Sequence, residues 1–139
     1  MKGTIYLIPN SLGEDNFTEI LPPDVVKIID SLAYFIVDNE KTARAFIKRL
    51  LPEKVQREIN MEILDKHTDP LDLPGFLKPV ERGENVGIIS EAGVPCVADP
   101  GAEIVSIAHR KGLSVKPLVG PSSILLALMG SGFNGQQFT

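Results

Sequence analysis

The sequence predicts an α/β fold: a three-layer α/β/α domain with a five-stranded, mainly parallel sheet, occupying residues 1–139 as one unit. Three observations lead there. Apolar runs of strand length recur five times. Segments with helical spacing of apolar residues alternate with them. Short turns rich in proline and glycine join the two kinds, and the chain carries 11 prolines and 12 glycines. Strands that alternate with helices bury both faces of a parallel sheet.

The elements follow in order. "GTIYLIP", 3–9, reads as a first buried strand. Pro22-Pro23-Asp24 opens a helix whose stripe is Val25, Val26, Ile28, Ile29 and Leu32. "AYFIVD", 33–38, is the second strand, and Asn39 caps the helix "EKTARAFIKRLL", which Pro52 stops. "EINMEIL", 58–64, is the third strand. "KHTDPLDLPG" reads as a loop, and "FLKPVERG" as a short helix with Pro79 near its start. "NVGIIS", 85–90, is the fourth strand. The helix "PGAEIVSIAHRKG" is capped by Asp99, begins with Pro100 and ends at Gly112. "LSVKPLV", 113–119, is the fifth strand. The last helix, "PSSILLALMGSG", is apolar on nearly every side, which predicts burial. The closing "GFNGQQFT" leads toward a further apolar element, so a domain boundary is expected there.

Composition excludes several classes of protein. Apolar content of 43% and charged content of 23% fit a folded domain, not a disordered chain. No apolar run approaches the roughly 18 residues that a membrane helix needs. The first residues lack the core and cleavage site of a signal peptide, so a cytoplasmic location is expected. A single cysteine, Cys96, excludes an internal disulfide and a cysteine cage for a metal. In its apolar loop Cys96 reads as a small filler. His67 and His109 stand alone, and no metal site is expected. A net charge of −4 argues against a generally basic surface but not against a local basic patch.

In an open parallel sheet, ligands sit at the carboxyl ends of the strands. Three loops there stand out: "PNSLGEDN" after the first strand, "SEAGVPCVADPG" after the fourth and "GPSS" after the fifth. The second contains no lysine or arginine, unlike loops that cradle phosphate. Its Ala92-Gly93-Val94-Pro95 removes side chains where a ligand would lie on backbone, and Glu91 offers a carboxylate. Ser122 and Ser123 stand at a helix N-terminus, where free N–H groups attract a carboxylate. Tight turns and plain capping are the alternatives for these loops. Neither G-x-G-x-x-G after the first strand nor G-x-x-x-x-G-K-[ST] occurs. Lys41, Arg44 and Lys48 share one side of the helix after the second strand. They form either a solvated face or a small phosphate-contacting patch.

"NVGIISEAGVPCVADPGAEIV" and "VKPLVGPSSILLALMGSGF" together resemble the tetrapyrrole methylase superfamily. The likeness is to the branch that methylates ribose 2′-hydroxyls of small-subunit (16S) ribosomal RNA. The family's S-D-A-G-x-P, D-P-G and G-P-S segments read here as Ser90 to Pro95, Asp99 to Gly101 and Gly120 to Ser122. "IYLIPNSLG" resembles its opening segment, and "DNEKTAR" stands in place of E-D-T-R-x-T-R. Glu91, Asn10-Ser11-Leu12 and Asp38-Asn39-Glu40-Lys41 depart from the pattern.

The resemblance implies the N-terminal domain of a two-domain methyltransferase, the C-terminal domain being absent from this chain. It implies S-adenosylmethionine held by Pro9, Glu91, Ala92, Gly93, Val94, Pro95, Val97, Ala98, Gly120, Pro121, Ser122 and Ser123. Lys41 and Arg44 are the candidate RNA contacts. A sulfonium ligand without phosphate suits a loop that lacks lysine. No residue stands out as the general base; Asp38 and Glu40 qualify by position only. The resemblance also implies ribosomal RNA or the small subunit as partner, and a homodimer. The rival enzyme reading is a methylase of a tetrapyrrole precursor. The rival of another class is a catalytically silent cofactor-binding or scaffold module.

Overall fold

The computed structural model describes residues 1–10, 21–89, 101–120 and 122–137. Five strands, β1 (Thr4–Ile8), β2 (Tyr34–Val37), β3 (Asn60–Ile63), β4 (Val86–Ile89) and β5 (Ser114–Pro117), form one sheet in the order β3-β2-β4-β1-β5. Every pairing is parallel. Among the described residues the α-helices are α1 (Pro23–Ser31), α2 (Glu40–Leu50), α3 (Lys78–Glu81), α4 (Gly101–Arg110) and α5 (Ser123–Ser131).

The two faces of the sheet bury separate apolar layers. On one, Val25 and Ile29 of α1 and Ala43, Phe46, Ile47 and Leu50 of α2 pack with Ile8, Phe35, Val37 and Ile89. On the other, Leu73, Leu77, Val80, Ile104 and Ala108 pack with Ile5, Ile36, Val86 and Ile88. The central strand β4 is buried at all four positions, as expected where both faces are covered. Its Gly87 lets the first layer close. A Cβ there would stand 2.5 Å from Ile8 Cδ1 and 3.0 Å from Leu32 Cδ1. The edge strands β3 and β5 are mostly exposed, and β5 carries Lys116 and Pro117, residues that discourage pairing with another chain.

Helix ends follow the sequence signals. Asn39 caps α2 by accepting from the Thr42 amide at 3.0 Å. Gly112, at φ 71°, follows the last turn after α4, and Gly132, at φ 78°, caps α5 in the left-handed region that favours glycine.

Two expectations need correction. Residues 70–77 are not a loop but a 3₁₀ helix that runs into α3. The Asp69 carboxylate accepts from the Leu71 amide at 2.9 Å, Pro70 takes an opening position, and Leu73 and Leu77 anchor the segment in the second layer. The prolines that read as breakers supply the φ that a 3₁₀ turn uses. The second correction concerns α5, which is not buried. Ile124, Leu125, Leu126 and Met129 are 48%, 54%, 51% and 78% exposed, and Phe133 beyond the helix is 81% exposed. Apolar character all round calls for a cover, and the described residues do not provide it.

Candidate functional site

Ile8 pairs with Ile89, and Val37 with the same Ile89, so β1, β4 and β2 end level with one another. The chain leaves β1 and β2 for helices on one face and leaves β4 for α4 on the other. Neighbouring strands whose connections part to opposite faces open a crevice between them, the place where open α/β sheets bind ligands. A depression lies there, lined by Asn10, Val37, Asp38, Asn39, Thr42, Ala43 and Ile89.

Asn10 is 9% exposed and is the one buried polar side chain among the described residues. In the sequence it stands out only as a departure from a motif. The available signal was a polar residue placed directly after a buried strand, where its amide must find partners. Asp38 is half-buried at the lip of the depression, whereas Glu40 is exposed on the first turn of α2 and does not line it.

Of the residues expected to hold the cofactor, the structure brings Pro9 and Gly120 together. The Leu118 amide donates to the Leu7 carbonyl at 3.0 Å, which extends the β1–β5 ladder toward this edge. Gly120 then packs so closely on the buried Pro9 ring that a Cβ at position 120 would overlap Pro9 Cβ and Cγ. Pro9, directly after β1, and Gly120, beyond β5, are therefore in direct contact. Ser122 caps α5: its Oγ accepts from the Leu125 amide at 3.4 Å and its carbonyl from the Leu126 amide at 2.9 Å, so the helix begins two residues after Gly120. Glu91, Ala92, Gly93, Val94, Pro95, Val97, Ala98 and Pro121 lie outside the described residues, as does the Ser123 side chain.

The described residues at this edge offer a helix N-terminus capped by Ser122, an apolar row of Val37, Ala43 and Ile89, the Asp38 carboxylate and two uncharged amides, Asn10 and Asn39, a set that fits a ligand with a carboxylate and a cation. Bound there, S-adenosylmethionine would supply an electrophilic methyl group; Gly120, Ser122 and Pro9 are the described residues that would hold it.

The basic patch comes apart. Lys41 and Lys48 are exposed, but Arg44 turns inward. Its Nη1 donates to the Gln56 carbonyl at 2.8 Å and to Gln56 Oε1 at 3.4 Å, and Nη2 donates to the Ile59 carbonyl at 3.1 Å. Nε lies 3.8 Å from Glu40 Oε2. Arg44 thus braces the connection between α2 and β3, and its donors are committed within the fold.

No family model matches the chain. Among curated proteins, a ribosomal RNA small subunit methyltransferase I from Mesorhizobium japonicum is 40% identical over 139 residues, covering 99% of this chain and 44% of its own length. The protein of the same name from Bacillus subtilis is 30% identical over 138 residues, covering 98% and 44%. That from Leptospira biflexa is 26% identical over 134 residues, covering 95% and 52%. A solved structure of uroporphyrin-III-C-methyltransferase from Thermus thermophilus superposes with a TM-score of 0.65 at 18% identity, over 96% of this chain and 55% of that one. The chain therefore has the α/β fold of a tetrapyrrole methylase domain and, along nearly its whole length, is similar to the ribosomal RNA small subunit methyltransferase I proteins, about half of whose length it spans.

Proposed function

We propose that this chain is the parallel-sheet, cofactor-binding domain of an S-adenosylmethionine-dependent methyltransferase that acts on a ribose 2′-hydroxyl of small-subunit ribosomal RNA. The observation that carries the reading is the crevice where β1, β4 and β2 end, with Pro9 locked to Gly120 at its border. The relatives' name supports RNA as the acceptor.

Each part of the edge has a task in this reading. The start of α5 at Ser122 receives the ligand's carboxylate, with the packed pair Pro9 and Gly120 beside it. Asn10 and Asp38 border the space where an acceptor hydroxyl must approach, close enough to orient it or to accept its proton. Lys41, exposed on the first turn of α2 beside that space, contacts RNA phosphate. The other half of the relatives' length supplies a second wall, which aligns the acceptor and excludes bulk water. The apolar surface of α5 is covered in a homodimer.

The test is transfer of labelled methyl groups to small ribosomal subunits by this chain and by a full-length relative at equal concentration. The relative is expected to transfer, and this chain alone to bind the demethylated cofactor without turnover. Comparable turnover by the chain alone would move the whole active site into these residues. Labelling of a tetrapyrrole precursor instead of RNA would overturn the substrate.

A further inference from the structure

A separate cleft of about 290 Å³ lies where β2, β3 and β4 begin, on the face covered by the 3₁₀ helix and α3. Tyr34 pairs with Asn60, and Ile36 with Glu62, so Tyr34, Asn60 and Glu62 rise from adjoining positions on one face of β2 and β3. Phe76, Lys78 and Arg82 form the facing wall. The two aromatic rings are half-buried and the polar groups exposed. Lys78 and Arg82 are four residues apart, so they stand on one side of α3 and its cap. Among the described residues neither side chain makes a hydrogen bond or an ion pair.

Two further cations, Lys111 and Lys2, stand near Glu81. Glu81, between Lys78 and Arg82 in sequence, is committed to Lys111, whose Nζ lies 2.8 Å from its carboxylate. That hydrogen bond, helped by the charges of Lys111, Lys2 and Lys78, holds the Glu81 carboxyl below its ordinary range. A corner of an acidic chain thus gathers cations, two of them, Lys78 and Arg82, without a hydrogen bond or ion pair among the described residues, beside a pair of aromatic rings and one carboxylate on the opposite wall.

A flat apolar wall, an acceptor for N–H groups and paired cations are what a nucleotide needs: stacking for the base, a reader for its edge and a seat for its phosphate. The volume suits one nucleotide, not a stacked strand. We infer that this cleft binds a single phosphorylated nucleoside, with the base against Tyr34 and Phe76, its N–H edge toward Glu62 and Asn60, and its phosphate on Lys78 and Arg82. The nucleoside is either a free mononucleotide or one unpaired nucleotide of an RNA strand. The inference stands apart from the methyltransferase reading, because the cleft opens at the end of the sheet opposite the crevice.

The experiment is an amide chemical-shift titration of the 139-residue chain with adenosine and guanosine monophosphates and, separately, with a short unstructured oligoribonucleotide. Shifts are expected on residues 34–36, 60–62 and 76–82, and the exposed-site double variant Lys78→Glu/Arg82→Glu should weaken binding at least tenfold. Binding of a mononucleotide in the cleft would identify a free nucleotide as sufficient; binding of the oligonucleotide alone would assign the site to RNA. Either supports the inference. Absence of shifts in the cleft at about 1 mM of every probe, or unchanged affinity in a double variant with a native-like spectrum, would overturn it.

Discussion

Replacing Gly120 with alanine tests whether the two loops at the crevice border are mechanically joined. The added Cβ would overlap Cβ and Cγ of Pro9 and approach Pro9 Cα to 3.5 Å. Ordinary carbon contacts need about 3.5–4 Å, so the loops must part by roughly an ångström or more. Pro9 is buried and follows the fully buried Ile8, which leaves it little freedom to retreat. Overpacking of this kind costs about 1–3 kcal/mol. Gly120 is not in the left-handed region, so backbone strain adds nothing and the whole effect belongs to the contact. The assay is urea unfolding of Gly120→Ala, Pro9→Gly and the double variant. In the Pro9→Gly background the clashing ring is gone, and the cost of Gly120→Ala should fall to a few tenths of a kcal/mol. An equal cost in both backgrounds, or none in either, would refute the joined-loop argument.

The other expectations are briefer. Arg44→Met should destabilise the chain by about 1–3 kcal/mol in urea unfolding, because the Gln56 and Ile59 carbonyls lose a charged donor. Lys41→Glu should leave stability within about 0.5 kcal/mol while lowering the slope of RNA affinity against salt by about one; equal salt slopes would return Lys41 to a solvated role. Glu81 should titrate below an ordinary glutamate when followed by carbon-detected NMR, and Lys111→Ala should move it back up. Because its folded value is depressed, the stabilisation it gives is present above the unfolded value and is lost as pH falls through the folded one. Leu125→Glu with Met129→Glu on α5 should abolish self-association in sedimentation measurements without unfolding the sheet, since both side chains are exposed.

The strands were readable because burial on both faces forces continuous apolar runs: "VGII" in β4 and "YFIV" in β2 leave no other placement. Asn39 and Gly112 were readable because caps are local chemistry. Arg44 was misread for the opposite reason. Spacing tells which side of α2 it occupies, but its guanidinium reaches carbonyls 12 and 15 residues onward, which no local pattern encodes. Helix α5 was misread because an apolar stripe reports the need for a cover, not its source. The crevice was legible as loops at strand ends, yet the role of Asn10 there depended on burial. The cleft around Phe76 was invisible to the sequence, since the register of β2 with β3 brings residues 34 and 62 together and only packing of the 3₁₀ helix and α3 on the sheet adds 76 and 82.

The strand order also sets a timetable for synthesis. β4 sits between β1 and β2, so the two strands made first do not pair with each other. β2 finds β3 soon after it is made, but β1 waits for β4, with Ile5 opposite Val86, roughly 80 residues later. At translation rates of about 5–20 residues per second, that delay is about 4–16 s. Through it, "TIYLI" is a β-prone apolar ribbon with both edges open. The nascent chain is therefore most vulnerable to aggregation before "VGII" emerges, and a chaperone that holds its first residues would matter most in that interval.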